Sequence, residues 1–207
     1  MVFANRREAG EKLAERLSCY QGEDVVVYGL PRGGVVVAFE VAKRLKAPLD
    51  IIITRKIGHP YNSEYAVCAV TEQGDLFCNE SERGQLDDQW FWRQVKKEKK
   101  EAARRRKVYF GDRKHILADG KTAIIVDDGI ATGLTMRAAL ESLKKENPKK
   151  IIVAMPVAPR DVVLKLKKQA DQVVVLEDAE VYLGAVGAYY NNFGQVTDQE
   201  VIGLLRN

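Results

Sequence analysis

Five short runs of β-branched and apolar residues constrain this chain most. They are DVVVYGL (Asp24 to Leu30), LDIIITRK (Leu49 to Lys56), KTAIIVDD (Lys121 to Asp128), IIVAMPV (Ile151 to Val157) and DQVVVL (Asp171 to Leu176). Their apolar stretches are continuous rather than alternating, so each reads as a strand covered on both faces. Between them lie segments with helical spacing. Ala9, Leu13 and Leu17 recur along Asn5 to Leu17, and Val37, Val41 and Leu45 follow the first run. Further helices are expected over Met136 to Lys145 and Pro159 to Lys168. Buried strands alternating with helices predict an α/β fold with a central, mostly parallel five-stranded sheet flanked by helices. Ligands of such sheets collect outside the carboxyl ends of the strands, so the chemistry should follow the runs directly.

Three segments break the alternation. YAVCAVTEQGDLFCNE carries a turn signal at Gln73-Gly74-Asp75 and predicts a hairpin. Gln85 to Lys107 is long, charged and helical in pattern. The tail holds a glycine-rich aromatic stretch, GAVGAYYNNF, and a last short helix near Thr197 to Leu205. With 207 residues, 46% of them hydrophobic, the chain can bury one core, which excludes a disordered chain. No apolar run approaches the ~18 residues of a membrane span, and MVFANRREAG lacks the pattern of a signal peptide. The cysteines, Cys19, Cys68 and Cys78, are odd in number and show no CxxC spacing. That argues against a disulfide framework or a zinc site. Two histidines argue against a His-rich metal centre. The expectation is a reduced, cytoplasmic protein. A net charge of +4 does not demand a nucleic-acid partner but suits an anionic substrate where cations converge.

The sharpest local feature is AIIVDDGIATGLT, Ala123 to Thr135. A buried strand ends in two acids, Asp127 and Asp128. A loop, Gly129-Ile130-Ala131-Thr132-Gly133, then enters a helix at Leu134 and Thr135. The glycines allow tight turning, and the N–H groups of Ile130 to Leu134 sit where a helix N-terminus attracts an anion. The hydroxyls of Thr132 and Thr135 add donors, while paired carboxylates suit a vicinal diol. Together these fit a ribose 5-phosphate. Neither the GxxxxGK[ST] nor the GxGxxG spacing is present.

Two further turns carry cations. GLPRGG, Gly29 to Gly34, offers Pro31, Arg32, Gly33 and Gly34 at a strand-to-helix turn, where amides and a guanidinium can meet a diphosphate. Arg55 and Lys56 end the second run. The run Arg93 to Lys107 has nine Lys or Arg against two Glu. It reads as a solvated helix face with Glu/Lys pairs, with nucleic-acid contact as the alternative.

IIV-DD-GIA-TGLT closely resembles the phosphoribosyl-diphosphate (PRPP) motif of type I phosphoribosyltransferases. The order strand-PRGG-helix-strand-RK-loop-strand-VDDGIATGLT-helix resembles their core over about residues 24–176. The opening Phe3, Asn5, Arg6 is similar to the start of small phosphoribosyltransferases of this length. The resemblance implies a single domain over 1–207, whose variable hood comes from the N-terminal helix and residues 177–207. It implies PRPP and a small-molecule nitrogen acceptor as substrates, Mg²⁺ as cofactor near Asp127 and Asp128, and a place in nucleotide metabolism. Arg32, Arg55 and Lys56 would face pyrophosphate, and the peptide bond before Arg32 would be cis. A flexible catalytic loop would follow Lys56 to about Gly111, with Glu64 either an acid/base or merely solvated. Tyr182, Tyr189, Tyr190 and Phe193 would either stack on a base or fill a small core beside the N-terminal helix. A homodimer is the family default. A regulatory protein sensing PRPP or a nucleotide on this scaffold is the alternative function.

Overall fold

The computed structural model describes residues 2–111 and 113–206, without the side chains of Ser63 and Glu64. The candidate acid Glu64 therefore lies outside the described side chains. In chain order the elements are α1 (Arg6–Arg16), β1 (Val25–Gly29), α2 (Gly33–Leu45), β2 (Leu49–Ile51), β3 (Thr54–His59), β4 (Asn62–Thr71), β5 (Leu76–Cys78) and α3 (Glu80–Arg83). There follow α4 (Asp88–Phe110), β6 (Thr122–Val126), α5 (Leu134–Lys144), β7 (Lys150–Pro159), α6 (Arg160–Leu166), β8 (Gln172–Ala179) and α7 (Asp198–Leu205). Among the described residues no helix is long and apolar enough to cross a membrane.

The main sheet has the order β2-β1-β6-β7-β8, and every pair is parallel. Successive side chains leave a strand on opposite faces, and both faces are filled. Val26, Tyr28, Ile125 and Met155 pack with Met136 and Leu140 of α5. Val25, Val27, Ile124 and Ile152 pack with Leu13 of α1 and Val37 and Val41 of α2. This two-sided burial is why the runs show no alternation. Asn5 caps α1 by accepting from the Glu8 amide at 3.1 Å, and Thr197 with Glu200 forms a capping box on α7.

The expected strand Leu49 to Lys56 divides. After Ile51 the chain leaves the main sheet, its last tie being Ile52 N–H to the Gly29 carbonyl at 3.2 Å. Ile51 and Ile53 turn instead toward Ala102 and Tyr109 of α4 and Val201 of α7. The run is buried from Asp50 through Ile53, across the join, but its halves pair with two different sheets, and hydrophobicity alone does not mark that join. The segment expected as a flexible loop contains a three-stranded antiparallel sheet, β3-β4-β5, and the 23-residue α4. The hairpin around Gln73-Gly74-Asp75 is present.

Its register overturns one expectation. Cys68 lies opposite Cys78 across β4 and β5, and the two form a disulfide. A pairing set by hairpin register leaves no spacing signature, which is why counting cysteines pointed the other way. Cys19 remains a free, exposed thiol.

The basic helix is only partly a solvated face. Phe91, Val95, Ala102 and Tyr109 are buried, and Arg106 reaches Asp50 at 3.0 Å, Glu72 at 3.3 Å and the Ile51 carbonyl at 2.9 Å. Asp50 is only 1% exposed, so its charge needs these partners. His115 completes the cluster, with Nδ1 2.8 Å from Asp50 and Nε2 2.9 Å from Glu146.

Burial opposes protonation of His115, but the neighbouring Asp50 and Glu146 carboxylates more than offset this and lift it to about 9. Burial pushes Glu72 up to about 7, with Arg106 offsetting only part of the effect. Both groups hold a proton in the folded state at a pH where the unfolded chain has lost it. The contribution of His115 is complete below the unfolded value of His, about 6.5, and is lost as pH rises through 9. Thermal unfolding from pH 6.5 to 9 should show stability falling. In His115→Gln the fall should shrink by on the order of 1 kcal/mol once solvent screening is allowed for. An unchanged slope would remove His115 from this role.

Candidate active site

β1 and β6 are paired in register, Val25 with Thr122 through Gly29 with Val126. Their following turns therefore lie side by side at the carboxyl edge of the sheet. The first turn is Leu30-Pro31-Arg32, in which the Pro31–Arg32 peptide is cis. The second carries Asp127, Asp128 and the loop into α5. Gly133, at φ +77°, is the left-handed residue that starts the helix.

These turns border a cleft of about 390 Å³. Pro31, Arg55, Lys56, Asp127, Asp128, Gly129, Ile130, Ala131, Thr132, Gly133 and Thr135 all line it. The structure thus brings together most of the residues singled out in the sequence. Arg32, Gly33, Gly34 and Leu134 are not part of its wall. The Arg32 guanidinium is instead 3.8 Å from Asp198 at the start of α7, and the Tyr109 hydroxyl donates to the same carboxylate oxygen at 2.8 Å. The Ile130 N–H is also not free for an anion, because it donates to the Val157 carbonyl at 3.0 Å.

Gly33 and Gly34 act through close approach. A Cβ at Gly33 would fall 1.9 Å from Oδ2 of Asp128, and one at Gly34 would fall 2.8 Å from Oδ1 and 2.9 Å from Cα of Asp127. The glycines of PRGG are therefore what let the two turns pack.

Asp127 is half-buried, and its Oδ1 accepts from the Asp128 amide at 2.8 Å. Burial raises its pKa well above the usual carboxylate range, and the neighbouring Asp128 charge adds to the rise. Asp128 receives Arg6 Nε at 2.6 Å, while its backbone carbonyl accepts from the Tyr190 hydroxyl at 2.5 Å. Arg55 is paired with Glu98 of α4 at 2.8 Å. The cleft joins two acids to three cations: Arg55, Lys56 and Arg105 of α4. Such a set can hold the hydroxyls of a sugar beside a strongly anionic group.

Three residues at this site escaped sequence reasoning. Arg105 sits within a run that looks uniformly solvated, Val186 is one valine in a glycine-rich tail, and Arg6 lies 122 positions from the acid it contacts. Of the three, only Arg6 carried any signal, in the opening Phe3, Asn5, Arg6 stretch. The hood aromatics are used among themselves. Tyr190 stacks on Phe193 with centroids 4.9 Å apart, Tyr182 stacks on Tyr189 at 5.7 Å, and Phe3 and Ala9 close the cluster. None of these rings lines the cleft, and Val186 is the hood residue that does.

Gly34→Ala would press on backbone atoms, whereas Gly33→Ala would press on the side chains of Asp128 and Arg6, which can yield by giving up their mutual bond. Thermal melts should show a drop of several degrees for Gly34→Ala, of the order expected for about 1–3 kcal/mol of overpacking. The drop for Gly33→Ala should be smaller. The reverse order would mean that Asp127 is not pinned by this contact.

Similarity to known proteins agrees with this geometry. A family model described as the phosphoribosyl transferase domain matches residues 2–191. Proteins from two strains of Mycobacterium tuberculosis, CDC 1551 and H37Rv, provisionally named phosphoribosyl transferases, are each 42% identical over 206 residues. That is 99% of this chain but 46% of theirs, so the chain spans about half the length of these relatives. The solved structure of TT1426 from Thermus thermophilus is 42% identical and superposes with a TM-score of 0.84, covering 99% of this chain and 98% of that one. With a family model spanning nearly all of its length, and with the acids, the loop and the cations of the motif gathered in one cleft, the chain belongs to the phosphoribosyl transferase domain family.

Proposed function

We propose that the chain transfers the 5-phosphoribosyl group of PRPP to a nitrogen acceptor, a nucleobase or related compound, with release of pyrophosphate. The observation that carries this reading is a single cleft holding Asp127, Asp128 and the Thr132-Gly133 loop together with Arg55 and Lys56. The reading carries with it a cytoplasmic setting, a role in nucleotide metabolism and the homodimer common in the family.

The loop from Ala131 to Thr135 holds the 5-phosphate with its amides and the two threonine hydroxyls, at the start of α5 where an anion is favoured. Ile130 shapes the loop from beneath, its own N–H being committed to Val157. Asp127 and Asp128 take the ribose hydroxyls. Lys56, Arg55 and Arg105 face the diphosphate and stabilise the charge it gains as the bond to C1 breaks. Positive charge then develops at C1 and the ring oxygen, beside the two acids, and the acceptor nitrogen attacks C1.

Among the described residues no group of three or more Asp, Glu, His or Cys could hold a metal by itself. Two adjacent carboxylates beside a diphosphate site do fit Mg²⁺, which commonly binds through one or two carboxylates with the rest of its shell from phosphate and water. Asp127 and Asp128 would hold it there. When bound, Mg²⁺ supplies neutralisation of diphosphate charge.

Calorimetry of PRPP with and without Mg²⁺ tests the reading. Wild type should bind in a metal-dependent manner, and Asp127→Ala/Asp128→Ala should lose at least about 100-fold in affinity, about 2.7 kcal/mol. Absence of binding to wild type would overturn it. The cations separate further. Lys56→Ala should weaken pyrophosphate binding by about tenfold and ribose 5-phosphate binding by less than about twofold, and equal losses would remove Lys56 from the diphosphate.

A further inference from the structure

Asp128 is held from both ends by parts of the chain remote from its own loop. Arg6 Nε lies 2.6 Å from its Oδ2, and both side chains are largely buried, at 12% and 14% exposed. A charge-assisted bond of that length between shielded groups fixes a carboxylate far more firmly than a solvated pair would. Arg6 is itself fixed twice more. Its Nη1 donates to the Gly194 carbonyl at 2.8 Å, and its guanidinium carbon sits 3.7 Å from the centroid of Phe193. Phe193 stacks on Tyr190, whose hydroxyl donates back to the Asp128 carbonyl at 2.5 Å. The contacts form a closed ring: Asp128 carboxylate, Arg6, Phe193, Tyr190, Asp128 backbone. Gly33 closes the remaining side, because a Cβ there would lie 2.7 Å from Arg6 Nε as well as against Asp128.

We propose that Arg6 is a positioning residue for the sugar subsite. It holds Asp128 by one oxygen in a fixed rotamer, so that the carboxylate is set in advance for ribose hydroxyls, and it ties that rotamer to the tail residues Tyr190, Phe193 and Gly194. Arg6 acts through Asp128 and does not itself line the cleft. A guanidinium suits the task because it can donate in two directions while its flat face rests on a ring. An ammonium in its place keeps the charge and loses both the fork and the stacking. This inference rests on the phosphoribosyl reading for the identity of the ligand, but the clamp is a property of the free protein.

The experiment therefore has two arms. Hydrogen–deuterium exchange on the ligand-free protein should show Arg6→Ala speeding exchange at least about tenfold in both 127–133 and 190–194, with β3 unchanged. Arg6→Lys should show a smaller increase. In the second arm, ribose 5-phosphate and pyrophosphate are titrated separately. Arg6→Ala should weaken ribose 5-phosphate about tenfold and pyrophosphate less than about twofold, with Arg6→Lys recovering part of the loss. Phe193→Leu, which leaves every cleft residue in place, should weaken ribose 5-phosphate about threefold. The double variant should lose less than the product of the two single losses. Unchanged exchange at 127–133, or equal weakening of both ligands, would overturn the clamp. If wild type binds neither ligand, the phosphoribosyl reading falls, while the exchange arm still decides whether Arg6 holds Asp128.

Discussion

The parallel pairing of β1 with β6 governs the rest of this molecule. Once Val25 through Gly29 lie in register with Thr122 through Val126, two turns must leave the sheet edge side by side. One of them ends in adjacent acids. Space between them then becomes the limiting quantity, and it is met by Gly33 and Gly34, whose missing side chains admit the Asp128 and Asp127 carboxylates. Helices on both faces seal the strands.

A second set of contacts brings the cations to that edge. Arg55 and Lys56 belong to β3, outside the main sheet, so their position depends on how the small sheet and α4 dock on the core. The docking runs through buried charge. Arg106 from α4 and His115 converge on Asp50 of β2, and Arg55 is held by Glu98 of the same helix. Removing one partner of such a group leaves an uncompensated buried ion. The cluster thus specifies a single seating for α4, and with it the place of Arg105 in the cleft wall.

The parts of this design that sequence could convey are those written locally. Continuous apolar runs announced the five strands, and the acids with the glycine and threonine loop announced the edge where the cleft lies. What was hidden depended on long-range pairing. Leu49 to Lys56 looks like one strand because burial is continuous across the join, although its halves serve different sheets. Cys68 and Cys78 meet through hairpin register. Arg32 lies in the turn it was assigned to yet faces Asp198, because α7 packs there. The tail rings are aromatic for the sake of one another and Arg6, and no pattern in GAVGAYYNNF distinguishes that use from stacking on a ligand.

Segments far apart in sequence meet at Phe3 and Tyr190, which bridge in parallel, and Arg6 bonds to a carbonyl 188 positions away. During synthesis this has a temporal consequence. At about 5–20 residues per second, Arg6 leaves the ribosome on the order of 10–40 s before Gly194 does. Both glycine turns emerge well before that, whereas β8, which completes the sheet, ends at Ala179, only 15 residues ahead of Gly194. Until Gly194 and Phe193 have emerged, Arg6 lacks two of the three contacts that hold it against Asp128.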